Sequence, residues 1–175
     1  VDDPEILPKV TKKDIPASRN YAKPELIKGN NNFYYQTGTN GITYHSIVFP
    51  CNALSEEEFK IASLFSNTLT DIGIGDKNYE EVQKLQSAVT GGMSANFVLL
   101  PDQSRENPTL GLKISSKSLE RNENKMQDLM IETIKDANFN DTGRIKDMLN
   151  FISSDNERSL IQNGHMLAMS NAGAQ

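Results

Sequence analysis

The chain has 175 residues, 37% hydrophobic and 23% charged, with a formal net charge of −5. These values fit one globular domain, and the absence of a basic patch excludes a nucleic-acid-binding surface as the leading interpretation. No apolar run approaches the roughly 18 residues of a membrane-spanning helix. Cys51 is the single cysteine, which excludes an intrachain disulfide. The compartment stays open among cytoplasmic, periplasmic and organellar.

Residues 1–32 are predicted to form a linker segment, with a disordered tail as the alternative. Pro4, Pro8, Pro16 and Pro24 exclude a long helix there. Apolar residues between the prolines favour docking on a surface over full disorder. They are Ile6, Leu7, Val10, Ile15 and Leu26. Val1 is not a natural start residue, so we expect the sequence to be part of a longer protein.

Residues 33–37 and 42–49 are predicted to form a β-hairpin. The Asn40-Gly41 pair between them is the strongest short-range signal for a hairpin turn. Pro50 is expected to end the second strand.

Residues 55–71 are predicted to form the first helix. Ser55 and Glu58 have the spacing of a capping box, in which each side chain accepts a hydrogen bond from the other residue's backbone N–H. Gly73 and Gly75 are expected to end this helix.

A second amphipathic helix is expected to begin after Asn78, which repeats the capping pattern with Glu81. It should stop at the Gly91-Gly92 pair, where a backbone conformation restricted to glycine is expected.

Residues 93–100 and 110–116 are predicted to be strands, because apolar and polar residues alternate along them. Residues 101–108 are polar and begin and end with proline, as expected of a wide loop. The two strands should therefore form a second hairpin.

Two further helices are predicted, the first capped by Asn122 and the second by Asp141. The last helix should run as one element to Ala168, although the polar residues 153–157 leave two shorter helices as an alternative. Five methionines at or near core spacing are interpreted as core residues. They are Met126, Met130, Met148, Met166 and Met169.

The predicted element order is β-β-α-α-β-β-α-α, with hairpins in place of crossover connections. This order indicates an α+β fold, a two-layer sandwich in which an antiparallel sheet carries its helices on one face.

Five short segments resemble, in order and spacing, the third domain of presequence-protease-type zinc peptidases, a branch of the pitrilysin/insulinase family. They are Thr39 to Tyr44, Leu64-Phe65, Leu69 to Gly75, Thr90 to Ala95, and Leu119 to Asn122. The resemblance implies a truncated pitrilysin/LuxS-like metallohydrolase fold. It also implies that residues 33–175 are part of a non-catalytic domain that lines a peptide-holding chamber. Zinc and the catalytic residues would lie in the other half of the parent peptidase.

Members of that family bind zinc through a His-x-x-Glu-His motif and a distant Glu. This chain has only His45 and His165, in separate predicted elements, whereas a catalytic zinc needs three protein ligands. Cys51 has no basic partner placed by the sequence. We therefore predict no catalytic, cofactor-binding or metal-binding residue in the chain.

Other motifs have simpler interpretations than a binding site. Glu56-Glu57-Glu58 suits the positive end of a helix dipole and is expected to be solvated. Gly73-Ile74-Gly75 and Gly91-Gly92 match neither phosphate-binding pattern and are interpreted as helix caps.

The expected function is that of a structural, chamber-forming domain in a zinc metalloendopeptidase that degrades peptides. A stand-alone binding or scaffold module is the alternative, and an independent hydrolase is disfavoured because no His, Cys and acid constellation is present. Expected partners are the remainder of the peptidase and its peptide substrate, with no nucleic acid and no membrane. An exposed sheet edge and apolar helix surface should also make the chain self-associate, as an effect of its excision.

Overall fold

The computed structural model describes residues 11–18, 21–27, 32–51, 54–100 and 109–173. The chain divides into two compact units, Val1–Asn40 and Gly41–Gln175. None of the described helices has both the length and the apolar character needed to cross a bilayer.

In its described part, the first unit contains only short elements. A single 3-10 turn, Lys12–Asp14, is closed by a capping box between Thr11 and Asp14. Strand β1 (Glu25–Ile27) pairs antiparallel with β2 (Asn32–Tyr34). All the side chains of both strands are exposed.

The predicted hairpin between residues 33–37 and 42–49 is wrong. Asn40 and Gly41 do have the positive φ angles of a hairpin turn, at 52° and 76°. However, β2 ends at Tyr34 and pairs with β1. Strand β3 (Ile42–Pro50) pairs over its whole length with a strand of the second unit. That partner offers nine residue pairs, far more than a three-residue strand can supply.

A three-stranded antiparallel sheet forms the centre of the second unit. Its strand order is β3, then β6 (Thr109–Leu119), then β5 (Met93–Leu100). The second predicted hairpin is therefore confirmed, with β6 longer at both ends than predicted. The predicted loop at residues 101–108 lies outside the described residues.

Helices α1 (Glu56–Thr68) and α2 (Tyr79–Val89) both begin with the predicted capping boxes. In contrast, Gly73 and Gly75 do not cap α1. Gly73 lies in strand β4 (Gly73–Ile74), which pairs with β7 (Ala137–Asn138). A Cβ atom on Gly73 would lie 2.5 Å from the carbonyl oxygen of Lys77, so only glycine fits there.

Helix α3 (Glu123–Asp136) follows a 3-10 turn, Glu120–Asn122. Asn122 stands at the expected cap position but its side chain makes no capping bond, which corrects the prediction. Its φ and ψ of −107° and 3° are not the extended conformation of a capping residue.

The last predicted helix is two helices, α4 (Thr142–Gln162) and α5 (Gly164–Gly173). Asp141 caps α4 as predicted, accepting a hydrogen bond from the backbone N–H of Arg144. The polar residues 153–157 do not interrupt α4. The break falls at Asn163, which leaves helical geometry immediately before Gly164.

The core lies between the central sheet and the helices, as an α+β sandwich requires. One buried cluster contains residues of the central sheet and of helix α3. A second contains residues of α2 and α3. The first consists of Leu69, Ala95, Ile114, Met126 and Met130; the second consists of Ile74, Val82, Val89 and Leu129. Helices α4 and α5 contribute no buried residue. The interpretation of Met166 and Met169 as core residues is therefore wrong, since both are exposed.

Candidate functional site

The central sheet has two faces of different character. In the strand register, Ile47 is opposite Ile114, and Ile114 is opposite Ala95. These three residues belong to the helix-side core, in which Ile114 is completely buried. Because side chains alternate along a strand, the intervening residues point to the other side.

We call this other side the open face. The positions on this face are Ile42, Tyr44, Ser46, Val48 and Pro50 of β3, Ser94, Asn96, Val98 and Leu100 of β5, and Thr109, Gly111, Lys113, Ser115, Lys117 and Leu119 of β6. Most of these residues are exposed or half-buried, and Tyr44 is 65% exposed. Within the described part of the second unit, the helix contacts with the sheet involve the opposite face: Met126 and Met130 of α3 cluster with Ile114, and Phe59 of α1 contacts Phe97.

A row of three serines crosses the middle of the open face. Ser46 lies opposite Ser115, and Ser115 lies opposite Ser94. The hydroxyl oxygens of Ser46 and Ser115 are 3.0 Å apart and share a hydrogen bond. A hydroxyl both donates and accepts, so the row can bond either to carbonyl or to N–H groups of a ligand.

Lys113 and Lys117 stand on either side of the serine row on the central strand. Four residues of strand separate them, which corresponds to about 13 Å. No open-face position on the three strands holds an acidic residue. Neither lysine forms an ion pair with any described residue; the ion pairs found are Lys60 with Glu56 and Lys77 with Glu132.

The Gly91-Gly92 turn lies beside the Lys117 side chain. The N–H of Gly91 donates a 2.7 Å hydrogen bond to the Lys117 carbonyl. A Cβ on Gly91 would lie 3.2 Å from both Cγ and Cε of Lys117, so the side chain runs directly over this glycine. Gly92 has φ of 117°, which confirms the predicted glycine-dependent conformation. Its carbonyl accepts a 3.0 Å hydrogen bond from the Ser116 hydroxyl.

The turn and the strands together border a cleft of about 450 Å³. Its lining includes Tyr44, both lysines and all three members of the serine row. The open face therefore has a shallow depression to which both lysines and the serine row contribute.

The structure places the two histidines in unrelated positions. His45 is half-buried in β3, on the helix side of the sheet. His165 is exposed on α5. Among the described residues, no group of three or more His, Cys, Asp or Glu side chains could hold a metal ion. Cys51 is half-buried, and its thiol contacts the carbonyl of Phe49 at 3.4 Å.

The acidic run at the start of α1 serves the helix. Glu58 accepts hydrogen bonds from the backbone N–H and the hydroxyl of Ser55, at 2.8 and 2.7 Å. Both bonds lower the pKa of the Glu58 carboxyl, and the bond from the backbone N–H has the larger effect. Glu56 pairs with Lys60 one turn further along.

A second cleft, of about 620 Å³, lies between α1 and α4. Arg144 at its edge donates a hydrogen bond to the Asp71 carbonyl and lies 4.3 Å from the centre of the Tyr79 ring. Asp147, Phe151 and Asp155 also line the cleft. These contacts give Arg144 a structural role, because they link α4 to the segment that follows α1.

The open face was not predicted from the sequence, although one signal was present. Along β6, Lys113 lies between the apolar Leu112 and Ile114, although Lys117 lies between Ser116 and Ser118, where the alternation is lost. The alternation alone does not show what lies beside each lysine. That depends on the register with β3 and β5, which is a long-range property.

Comparison with known proteins identifies a family model that matches the whole chain and relatives that match most of it. A family model for the region associated with peptidases of family M-16, subfamily C, matches residues 1–175. The mitochondrial presequence protease of Drosophila melanogaster is 31% identical over 138 residues, 78% of this chain and 13% of that protein. Its Mus musculus counterpart is 29% identical over 170 residues, 95% of this chain and 16% of that protein. The chloroplastic/mitochondrial presequence protease 1 of Arabidopsis thaliana is 26% identical over 172 residues, again 95% and 16%. The chain thus spans between 13% and 16% of the length of these relatives.

Proposed function

The chain belongs to the family of regions associated with subfamily C of the family M-16 peptidases, and on this premise we propose that it is a non-catalytic, chamber-forming domain of a zinc metalloendopeptidase. Residues 33–175 would form part of the third domain of that peptidase, with residues 1–32 as the segment leading into it. The partners would be the remainder of the peptidase and the peptides that it degrades.

The open face is the observation that carries this proposal. An antiparallel sheet with helices on one side and, on the other, an exposed surface with polar groups at its centre is suited to border a water-filled space. The serine row and the two lysines offer hydrogen-bonding groups to a peptide backbone and its side chains. These groups would bind a peptide weakly and would take no part in its hydrolysis, as a chamber wall requires.

The residues present do not fit the family's zinc. His45 lies half-buried in a strand and His165 lies exposed on a separate helix. Among the described residues, no further histidine, cysteine or carboxylate completes a ligand set with either. We therefore derive no catalytic step in this chain and place zinc and peptide hydrolysis in the remainder of the peptidase.

Site-specific photo-cross-linking in the longer peptidase tests the proposal. A photoreactive amino acid would replace Ser46 on the open face, and a matched variant would carry it at Glu80, an exposed position on α2. Both variants would be made in a peptidase whose metal-binding motif is inactivated, so that a labelled peptide stays bound.

We expect the label to become attached through position 46 and not through position 80. Equal labelling at both positions, or none at position 46 while the peptide is bound, would contradict the chamber-forming role.

A further inference from the structure

We infer that the open face binds acidic segments of peptides through Lys113 and Lys117. The inference deepens the proposed function and rests on it for the kind of ligand, a peptide. What it adds is a recognition site in this chain and a preference for carboxylates.

The first support is the contrast between this surface and the whole chain. The chain carries a net charge of −5, so a randomly chosen patch should be acidic or mixed. The strand positions of the open face instead hold two lysines and no carboxylate. Like charges that share a surface are stabilised by an anionic ligand, and neither lysine has an ion pair within the described residues.

The second support is the spacing of the cationic groups. Lys113 and Lys117 lie about 13 Å apart along β6, the distance that four residues of an extended peptide span. In an extended peptide, side chains four residues apart point to the same side. A peptide lying along β6 with carboxylates at such positions could reach both ammonium groups at once.

The serine row supplies the contacts between those two points. Ser46, Ser94 and Ser115 cross the face midway between the lysines. Their hydroxyls can donate to carbonyl groups and accept from N–H groups of the peptide, whatever its sequence. The charges therefore select acidic segments, and the serines contribute to affinity without further selection.

The third support is that the stem of one lysine already packs against the neighbouring turn. The Lys117 stem runs over Gly91, where any larger residue would bring a Cβ atom to 3.2 Å from it. The hydrogen bond from the Gly91 N–H to the Lys117 carbonyl holds the turn in place. Binding through a positioned side chain loses less conformational entropy than binding through a free one.

Fluorescence anisotropy with the 175-residue chain tests the inference without any peptidase activity. The first probe is a labelled peptide with two glutamates four positions apart in an otherwise neutral sequence. The second has glutamine in place of both glutamates, and the third has two adjacent glutamates. The variants are Lys113→Gln, Lys117→Gln and the double substitution. The control is the double substitution of Lys84 and Lys125 by Gln, since both are exposed on helices.

We expect the four-position glutamate peptide to bind more tightly than either of the others. Each open-face substitution should weaken that binding about two- to fivefold, as is usual for an exposed ion pair. The double open-face variant should bind the glutamate and glutamine peptides equally, whereas the control variant should keep the difference. Raising the salt concentration should also reduce the difference. Thermal melts would check that the variants remain folded.

Equal binding of glutamate and glutamine peptides by the unaltered chain would overturn the inference. So would an equal loss in the helix control, because the effect would then follow net charge and not the open face. If the isolated chain prefers the glutamate peptide but position 46 gives no cross-link in the peptidase, the peptide-binding site stands and the chamber role is refuted. If position 46 gives the cross-link but the isolated chain binds both peptides equally, only the acidic preference is refuted.

Discussion

The backbone N–H of Gly91 donates a 2.7 Å hydrogen bond to the carbonyl of Lys117, which ties the end of α2 to the central strand of the sheet. Gly92 completes the turn with φ of 117°, and its N–H donates to the Thr90 hydroxyl at 3.1 Å. The turn therefore does two things. It returns the chain from helix to strand, and it leaves room for the Lys117 side chain.

Replacing Gly92 with valine should strongly destabilise the fold. A β-branched side chain forced to this positive φ costs on the order of 1–3 kcal/mol in unfolding free energy. Thermal or urea unfolding would measure the loss. Gly38→Val is the matched control, because Gly38 has no positive φ and no atom within 4 Å of its Cβ direction. An unfolding curve of the Gly92 variant that matches this control would show that the turn tolerates side chains.

The capping box of α1 should make stability depend on pH. Hydrogen bonds from Ser55 lower the pKa of Glu58 below its ordinary value of 4.5. A carboxyl whose pKa is lower in the folded state stabilises the protein above its unfolded pKa, and this contribution is lost as the pH falls through the folded pKa. We therefore expect stability to decline on acidification below the ordinary range of glutamate.

An NMR titration would follow Glu58 directly. Ser55→Ala removes the hydroxyl bond and keeps the larger backbone bond, so it should move the Glu58 midpoint only part of the way upward toward the ordinary range. Asn78→Ala removes the equivalent cap of α2 and should leave the Glu58 midpoint unchanged. A midpoint that Ser55→Ala does not move would show that the hydroxyl bond does not contribute to the lowered pKa.

Methionine substitutions should separate core from surface. Met130 is completely buried, and Met130→Ala should cost about 2–5 kcal/mol through lost contacts and a cavity. Met169 is 68% exposed, and the same substitution there should change stability by no more than about 0.5 kcal/mol. Urea unfolding of both variants would decide, and similar losses at the two sites would mean that α5 is packed.

The elements with local chemical signals were predictable from the sequence. The capping boxes at Ser55 and Asn78 need only residues three positions apart, and both formed as predicted. The turn at Gly92 is equally local. Strand alternation likewise gave β5 its correct limits at Met93 and Leu100.

The elements that depend on distant partners were not predictable. Strand β4 has two residues, too few for an alternation pattern, and exists because Ala137 and Asn138 lie beside it. The break at Asn163 was hidden because apolar residues keep helical spacing on both sides of it. The open face has the same origin, since Lys113 and Lys117 acquire their neighbours only through the sheet register.

The purified chain should hold no stoichiometric zinc and should hydrolyse no peptide. His45 and His165 lie on different elements, and no three-ligand group occurs among the described residues. Metal analysis after extensive dialysis, together with a peptide-cleavage assay, would measure both properties. One tightly held zinc that disappears in His45→Ala or His165→Ala would refute the prediction.

The chain should self-associate at high concentration through the surface of α4 and α5. These helices contribute no buried residue, and Phe151 and Ile161 are 73% and 86% exposed. Exposed apolar side chains favour association, because burying them removes apolar area from water. Sedimentation velocity over a range of concentrations should therefore show a growing dimer or larger species.

A matched pair of substitutions would locate the interface. Ile161→Glu places a charge on the α4 surface, while Ile61→Glu makes the same change at a 67% exposed residue of α1. We expect Ile161→Glu to reduce association and Ile61→Glu to leave it nearly unchanged, since an unpaired carboxylate is costly only where the surface becomes buried. A monomer at all concentrations would mean that the exposed apolar residues of α4 and α5 are too dispersed to support association. Equal effects of the two substitutions would place the interface elsewhere, with β3, the end strand of the sheet among the described residues, as the next region to test.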